Sequence, residues 1–110
     1  MYKLNKSEVP QRQRDGLLSH ILLQHGDVPN TQLSVTWVEV EPGASQKPHK
    51  HPPEQSYIII QGQGKMIVGE ESCIVQKGDI IHIPSYFEHF IENCALSKVA
   101  DIEPEEYDKL

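Results

Sequence analysis

In the stretch KPHKHPPEQ, residues 47–55, two histidines stand one residue apart, a double proline follows, and two oxygen-bearing side chains come directly after it. Imidazole nitrogen and carboxylate or amide oxygen are ligands for divalent transition metals. In extended chain His49 and His51 project to one side while Lys50 projects to the other. Their Cα atoms are then about 7 Å apart, close enough for both rings to lean onto one ion at roughly 2.1 Å each. Pro52 and Pro53 have no N–H to give to a ladder, so strand pairing should stop there and the chain should swing. That swing lets a third side chain, Glu54 or Gln55, return to the histidine face. A fourth candidate, His89, lies far along the chain, beyond the run DIIHIP.

Such a set needs a rigid frame to bring two distant segments together. From residue 16 to residue 102 the chain has no helical stripe. Short runs of Ile, Val, Thr and aromatics alternate with Gly, Pro or Asp, a spacing that predicts all-β structure. Strands are expected at GLLSHILLQ, QLSVTWVEVE, QKPHKH, QSYIIIQG, GKMIVG, SCIVQ, DIIHIP, EHFIEN and SKVADIE. Turns are expected at HGDVPN, EPGAS, GQG, GEES and KGD. The run YIII is apolar at successive positions, which predicts an inner strand covered on both faces. A sandwich or barrel is the natural closure.

The totals narrow the function. One domain is expected at 110 residues: an N-terminal arm over 1–15, a β-domain over 16–102 and an acidic tail over 103–110. Sixteen acids against ten Lys and Arg give a formal charge of −6. With no basic stripe, phosphate-driven nucleic-acid binding has no electrostatic source, and a small substrate is the better expectation. The longest apolar runs fall far below the roughly 20 residues of a membrane span. The polar start MYKLNKSEVPQRQRD lacks the apolar run of a secretory leader, so a cytoplasmic protein without membrane contact is expected. Cys73 and Cys94 form no C-x-x-C and read as reduced core thiols.

At this point the sequence resembles a family. Gly43, ASQKP, His49, Lys50, His51, PPE, Gln55, SYIIIQ and Gly62 run in the order of the first cupin motif. Gly78, DIIHI, Pro84, Ser85, Tyr86, FE, His89, FIE and Asn93 run in the order of the second. The resemblance implies a double-stranded β-helix of the jelly-roll type. It further implies one divalent metal held by His49, His51, Gln55 and His89. A mixed nitrogen and oxygen donor set accepts Zn, Mn, Fe, Ni, Co or Cu.

Two positions depart from the family pattern. The motif glutamate is Gln55 here, with Glu54 one residue out of register and so facing away. The second motif's glycine is Tyr86, a bulky residue where a tight turn is wanted. A neutral amide beside three neutral imidazoles leaves the ion's full charge of about +2, which should welcome an anionic ligand. Some cupins that handle carboxylate-bearing substrates carry Gln at this place.

The remaining candidates have plainer roles beside the sharper ones. Lys47, with the parity of His49, offers a cation to a substrate carboxylate or is simply solvated. Tyr57 is a hydrogen-bonding acid or a packing residue. His82 reads as a packed or rim histidine, and His20 and His25 as structural. The expectation is a metal-dependent isomerase, lyase or oxygenase acting on a small carboxylate- or carbonyl-bearing molecule. The alternative is a non-catalytic module that binds a metal or small ligand. A sheet of this size leaves edges to cover, so a homodimer is expected in which an N-terminal strand pairs with the neighbour.

Overall fold

The computed structural model describes residues 1–93 and 99–106, and along 99–106 it describes the path of the backbone. Among these residues the strands are β1 (Arg12–Arg14), β2 (Leu17–Leu23), β3 (Leu33–Val40), β4 (Gln55–Gln61), β5 (Gln63–Val68), β6 (Glu71–Gln76), β7 (Ile80–Ile83), β8 (His89–Glu92) and β9 (Val99–Glu106). They form a six-stranded sheet in the order β1-β2-β3-β9-β4-β7 and a three-stranded sheet in the order β6-β5-β8.

Alternation along each strand decides what lies between the sheets. In β4 the buried positions are Gln55, Tyr57 and Ile59, the period of two that a half-buried strand requires. Val38, Val40, Tyr57, Ile59 and Ile83 from the larger sheet pack with Met66, Val75 and Ile91 from the smaller. Each such aliphatic side chain stabilises the fold by roughly 1.5–3 kcal/mol when fully buried. The two sheets are thus one sandwich with a single core.

The segment expected as the strand QKPHKH is less regular than a strand. It runs antiparallel to β8 but meets it only at two bridges, Ser45 opposite Glu92 and His49 opposite His89. Between those bridges this segment carries one residue more than β8, a bulge that contains Pro48, which has no N–H for the ladder. The bulge changes which side chains face inward. Gln46, whose N–H donates to Ile91 O (3.0 Å), is buried, while Lys47 is exposed. The expectation that Lys47 shares the face of His49 by simple alternation is therefore corrected: Gln46 takes that place.

Other expectations change for comparable reasons. β4 is an inner strand between β9 and β7, yet Ile58 is 37% exposed. Among the described residues nothing covers the outer face of that sheet there, so YIII is covered on one side. The acidic run does not leave the domain at residue 102. β9 pairs with β3 in continuous register as far as Leu33 opposite Glu106, because ladder bonds are made by the backbone and carry no preference against charge. The N-terminal arm folds onto its own chain: β1 pairs with β2, and the Tyr2 hydroxyl donates to Leu22 O (2.8 Å). Cys73 is free and exposed rather than in the core, since β6 is an edge strand with only Val75 buried. Cys94 lies outside the described residues. No described helix is long and apolar enough to cross a membrane.

Candidate metal centre

His49 and His89 are brought together by the backbone itself. Each N–H donates to the other's carbonyl, His49 N to His89 O at 3.2 Å and His89 N to His49 O at 2.9 Å. His51 is fixed by a second clamp, in which Tyr86 N–H donates to His51 O (2.8 Å) and the Ser85 hydroxyl donates to Pro52 O. For this the turn before β8 must bend sharply, and Tyr86 adopts φ +64° to do so. The family's glycine conformation is kept without the glycine, at a cost of about 1–2 kcal/mol for an L residue in the left-handed region. The motif glycines Gly43, Gly62 and Gly78 likewise lie at φ +79°, +85° and +95°.

The outcome is a cluster of three imidazoles, each contributing one ring nitrogen, with those nitrogens within 4.8 Å of one another. Ring centroids are 4.2 Å apart for His49 and His89, 5.1 Å for His51 and His89, and 6.0 Å for His49 and His51. Two donors on opposite sides of one ion at about 2.1 Å are at most about 4.2 Å apart, so the widest pair must tighten by at least roughly half an ångström to share one. His89 is fully buried, and His49 and His51 are more open.

The protonation of these rings follows from their partners. Nδ1 of His49 donates to Lys47 O (2.8 Å), Nδ1 of His51 to Pro53 O (2.9 Å) and Nδ1 of His89 to Phe87 O (2.8 Å). A carbonyl oxygen has no proton to give, so each Nδ1 carries the hydrogen and each neutral ring keeps its Nε2 lone pair for another use. Backbone carbonyls that orient ligating imidazoles in this way are the usual support of a metal site.

Two observations test whether a cation fits. His89 Nε2 is buried with no hydrogen-bond partner among the described residues, a costly state unless something else meets the lone pair. His51 Nε2 lies 3.0 Å from Gln55 Oε1, so two acceptors face each other. A shared cation relieves both conflicts. That separation is also the spacing of two adjacent donors each about 2.1 Å from one ion. The residues present therefore fit a divalent metal.

Burial acts on the same ring. Desolvation pushes the His89 pKa down to about 4, against the raising effect of the Phe87 carbonyl, and the neighbouring His49 and His51 lower it further. The ring is held neutral and ready to ligate.

The other sequence candidates are placed as follows. Gln55 is buried, 2% exposed, with its amide at the cluster. Glu54 faces away and accepts from exposed His82 Nε2 at 2.9 Å, a rim pair worth at most about 1 kcal/mol. Tyr57 is fully buried and sits edge-on to His89 at 5.9 Å. Its hydroxyl donates to Gln46 Oε1 at 3.2 Å, inside the sandwich and not at a rim. Lys47 lines a cavity of about 320 Å³ that the three histidines do not line. His20 is buried on β2, its Nδ1 donating to Val9 O (3.3 Å) of the N-terminal arm.

Sequence reasoning missed Gln46, whose Oε1 also accepts Ile91 N–H (3.1 Å) and so joins the histidine segment, β4 and β8. It gave Asn93 no role beyond its place in the motif, whereas the residue is 1% exposed and donates to Val40 O (2.9 Å). The motif position of Asn93 was a signal for that role. Gln46 had none, because its burial depends on the bulge.

With this geometry established, comparison with known proteins identifies the lineage. The profile of the Cupin domain family matches residues 36–99. The chain is a cupin. The Methanocaldococcus jannaschii protein MJ1618, itself uncharacterized, is 34% identical over 85 residues, covering 76% of this cupin and 68% of that protein. A Thermotoga maritima structure described as a predicted oxalate decarboxylase superposes with a TM-score of 0.86 at 19% identity, covering 96% of this cupin and 98% of that chain. The polyketide cyclase RemF from Streptomyces resistomycificus superposes with a TM-score of 0.82 at 18% identity, covering 97% and 80%. These likenesses establish the fold, and the different names on one cupin frame mean that the reaction must be read from the site.

Proposed function

We propose that this cupin holds one divalent transition metal on Nε2 of His49, His51 and His89 and on the amide oxygen of Gln55, and that it acts on a small carboxylate- or carbonyl-bearing molecule. The observation that carries the reading is the buried, unmet Nε2 of His89 at the focus of three rings whose Nδ1 atoms are already committed. When bound, such an ion polarises an oxygen placed on it. The chain's own part is to aim the three lone pairs, to keep His89 unprotonated and to exclude water on the His89 side. Gln55 adds an oxygen without adding negative charge, which favours an anionic ligand. Isomerase, lyase or oxygenase chemistry all suit such a centre, and the identity of the ion among Zn, Mn, Fe, Ni, Co and Cu selects between them.

Metal analysis of untagged protein purified without chelators tests the reading. Roughly one ion per chain is expected for a site of this kind, and a content near zero would overturn it.

The second reading is a module that binds a metal or small ligand without converting it, supported by the placement of the two side chains considered for catalysis: Lys47 lines a separate cavity, and the Tyr57 hydroxyl donates to Gln46. Incubating metal-loaded protein with keto acids, uronic acids and diketones separates the two, since binding without any product favours the module. The same proposal includes a jelly-roll barrel that associates as a homodimer. The outer edge of β1, unpaired among the described residues, and the exposed pair Ile58 and Ile80, opposite one another on β4 and β7, support it. Light scattering that returns a monomer mass at micromolar concentration would remove the dimer.

A further inference from the structure

The cavity that Lys47 lines opens between the two sheets on the β1 side. Its walls are Arg12, Arg14 and Asp15 from β1 and its turn, Leu17 and Ser19 from β2, Thr36 and Val38 from β3, and Ser45, Gln46 and Lys47 from the histidine segment. Pairing register decides which way the arginines face. Arg12 is opposite Ser19 and Arg14 opposite Leu17, and those two residues are opposite Val38 and Val40, which belong to the core. Side chains directly opposite in a ladder share a face, so both arginines project from the inner face of the larger sheet, over the mouth of the cleft, while Gln13 projects from the outer face.

Three cations therefore meet one acid around this mouth, in a chain whose formal charge is −6. Arg14 lies 4.0 Å from Asp15, both largely exposed. Among the described residues, neither Arg12 nor Lys47 has an ion-pair partner. The floor is apolar at Leu17 and Val38, and Ser19, Thr36 and Ser45 add hydroxyls. At about 320 Å³ the space is near the lower bound of about 300 Å³ for small-molecule sites. With Cα atoms about 7 Å apart along one strand face, Arg12 and Arg14 offer two separate guanidinium forks, which match two carboxylates better than one.

We propose that Arg12, Arg14 and Lys47 form an anion-binding mouth that takes a small organic dicarboxylate. Its catalytic meaning rests on the metal reading above, whereas the binding itself does not. The wall and the candidate centre share a short segment: the Lys47 carbonyl orients His49, and Gln46 both lines the cavity and holds Tyr57 beside His89. An occupant of the mouth would press directly on the residues that aim the cluster.

The test is isothermal titration of full-length, chelator-treated protein with malonate, succinate and glutarate at low ionic strength. The controls are dimethyl succinate and sulfate. At least one dicarboxylate should bind, dimethyl succinate should not, and Arg12→Gln/Arg14→Gln should weaken binding at least tenfold while leaving metal content unchanged. Both arginines are exposed on an edge strand, so the double variant should fold, and Lys47→Met provides an independent second variant with the same expectation. Retention of dicarboxylate affinity in both variants would overturn the assignment, as would the absence of binding by every dicarboxylate. Sulfate bound as tightly as the dicarboxylates would overturn the ligand class. Arginine-dependent binding by protein that never carries an ion would sink the metal reading and leave this one standing. Normal metal content with dicarboxylate affinity unaffected by the substitutions would do the reverse.

Discussion

The same two sheets part at two edges, and the edges differ in chemistry. On the β1 side the cleft is ringed by Arg12, Arg14 and Lys47. On the side where β6 and β7 approach, a cavity of about 260 Å³ is lined by Met66, Val68, Ile81, Pro84 and Phe87 together with Glu71, Ser72, Cys73 and His82. Each opening lies beside a strand that ends its sheet among the described residues, so topology puts them there. Both have largely apolar walls, and the edge residues decide the charge: Arg12, Arg14 and Lys47 at the first, Glu71 at the second. A small anion has an electrostatic reason to enter by the first and none to enter by the second. Each opening shares one residue with the histidine cluster: the carbonyl of Lys47 orients His49, and that of Phe87 orients His89.

Removing the shared centre is the strongest way to break this comparison. His89→Ala should lower metal affinity roughly 1000-fold, more than the 10–100-fold typical of losing a supporting residue, as read by competition with a coloured chelator. Dicarboxylate binding at the β1 mouth should survive. Loss of both together would mean that the mouth and the centre are one site.

Acid separates the interior from the rim. In metal-free protein His89 takes a proton only near pH 4, against 6.5 for the exposed ring. Between those values the unfolded chain binds more protons, so stability rises with pH and falls on acidification through that window. The slope reaches at most about 1.4 kcal/mol per pH unit, and a total of at most about 3 kcal/mol is expected from urea midpoints. The loss should stop below about pH 4, where both states are protonated. Loading with metal should steepen it, because protons then compete with the ion. A flat profile for the metal-free protein would show that His89 does not differ between the two states.

Gln55→Glu sharpens the contrast by placing a negative charge beside the cluster. Metal should bind about tenfold more tightly, while a dicarboxylate should bind metal-loaded protein more weakly than before. Chelator competition and calorimetry on the same sample check both signs. The smallest effect belongs to the apolar side. Tyr86→Gly relieves a left-handed residue beside Phe87 but loosens the unfolded chain, so the net change in stability should be a gain below about 1 kcal/mol, seen as a rise of a few degrees in Tm. A clear loss would mean that the exposed phenol itself supports the turn.

What could be read in advance followed from local rules. His49, His51 and His89 were legible because their spacing to glycines and prolines is set by turns, and turns are written in single residues. The orientation of Gln55 against Glu54 was legible from strand parity alone. The bulge between Ser45 and His49 was not, because it exists only relative to β8, far away in sequence. Arg12 and Arg14 read as a polar arm for the same reason: a three-residue strand has no pattern of its own, and pairing with β2 alone reveals which face they take. β9 was cut short because acids and a proline were read as a tail, while its ladder is made by groups that every residue but proline carries.

Three main-chain oxygens, those of Lys47, Pro53 and Phe87, aim the rings of this centre. Such oxygens come with any amino acid, so mutation can exchange the side chains at those positions without removing the acceptors. The aim of the three rings is thereby insulated from drift in the surrounding walls. A lineage built on this plan can alter its rim freely while the geometry of the three rings stays as it was.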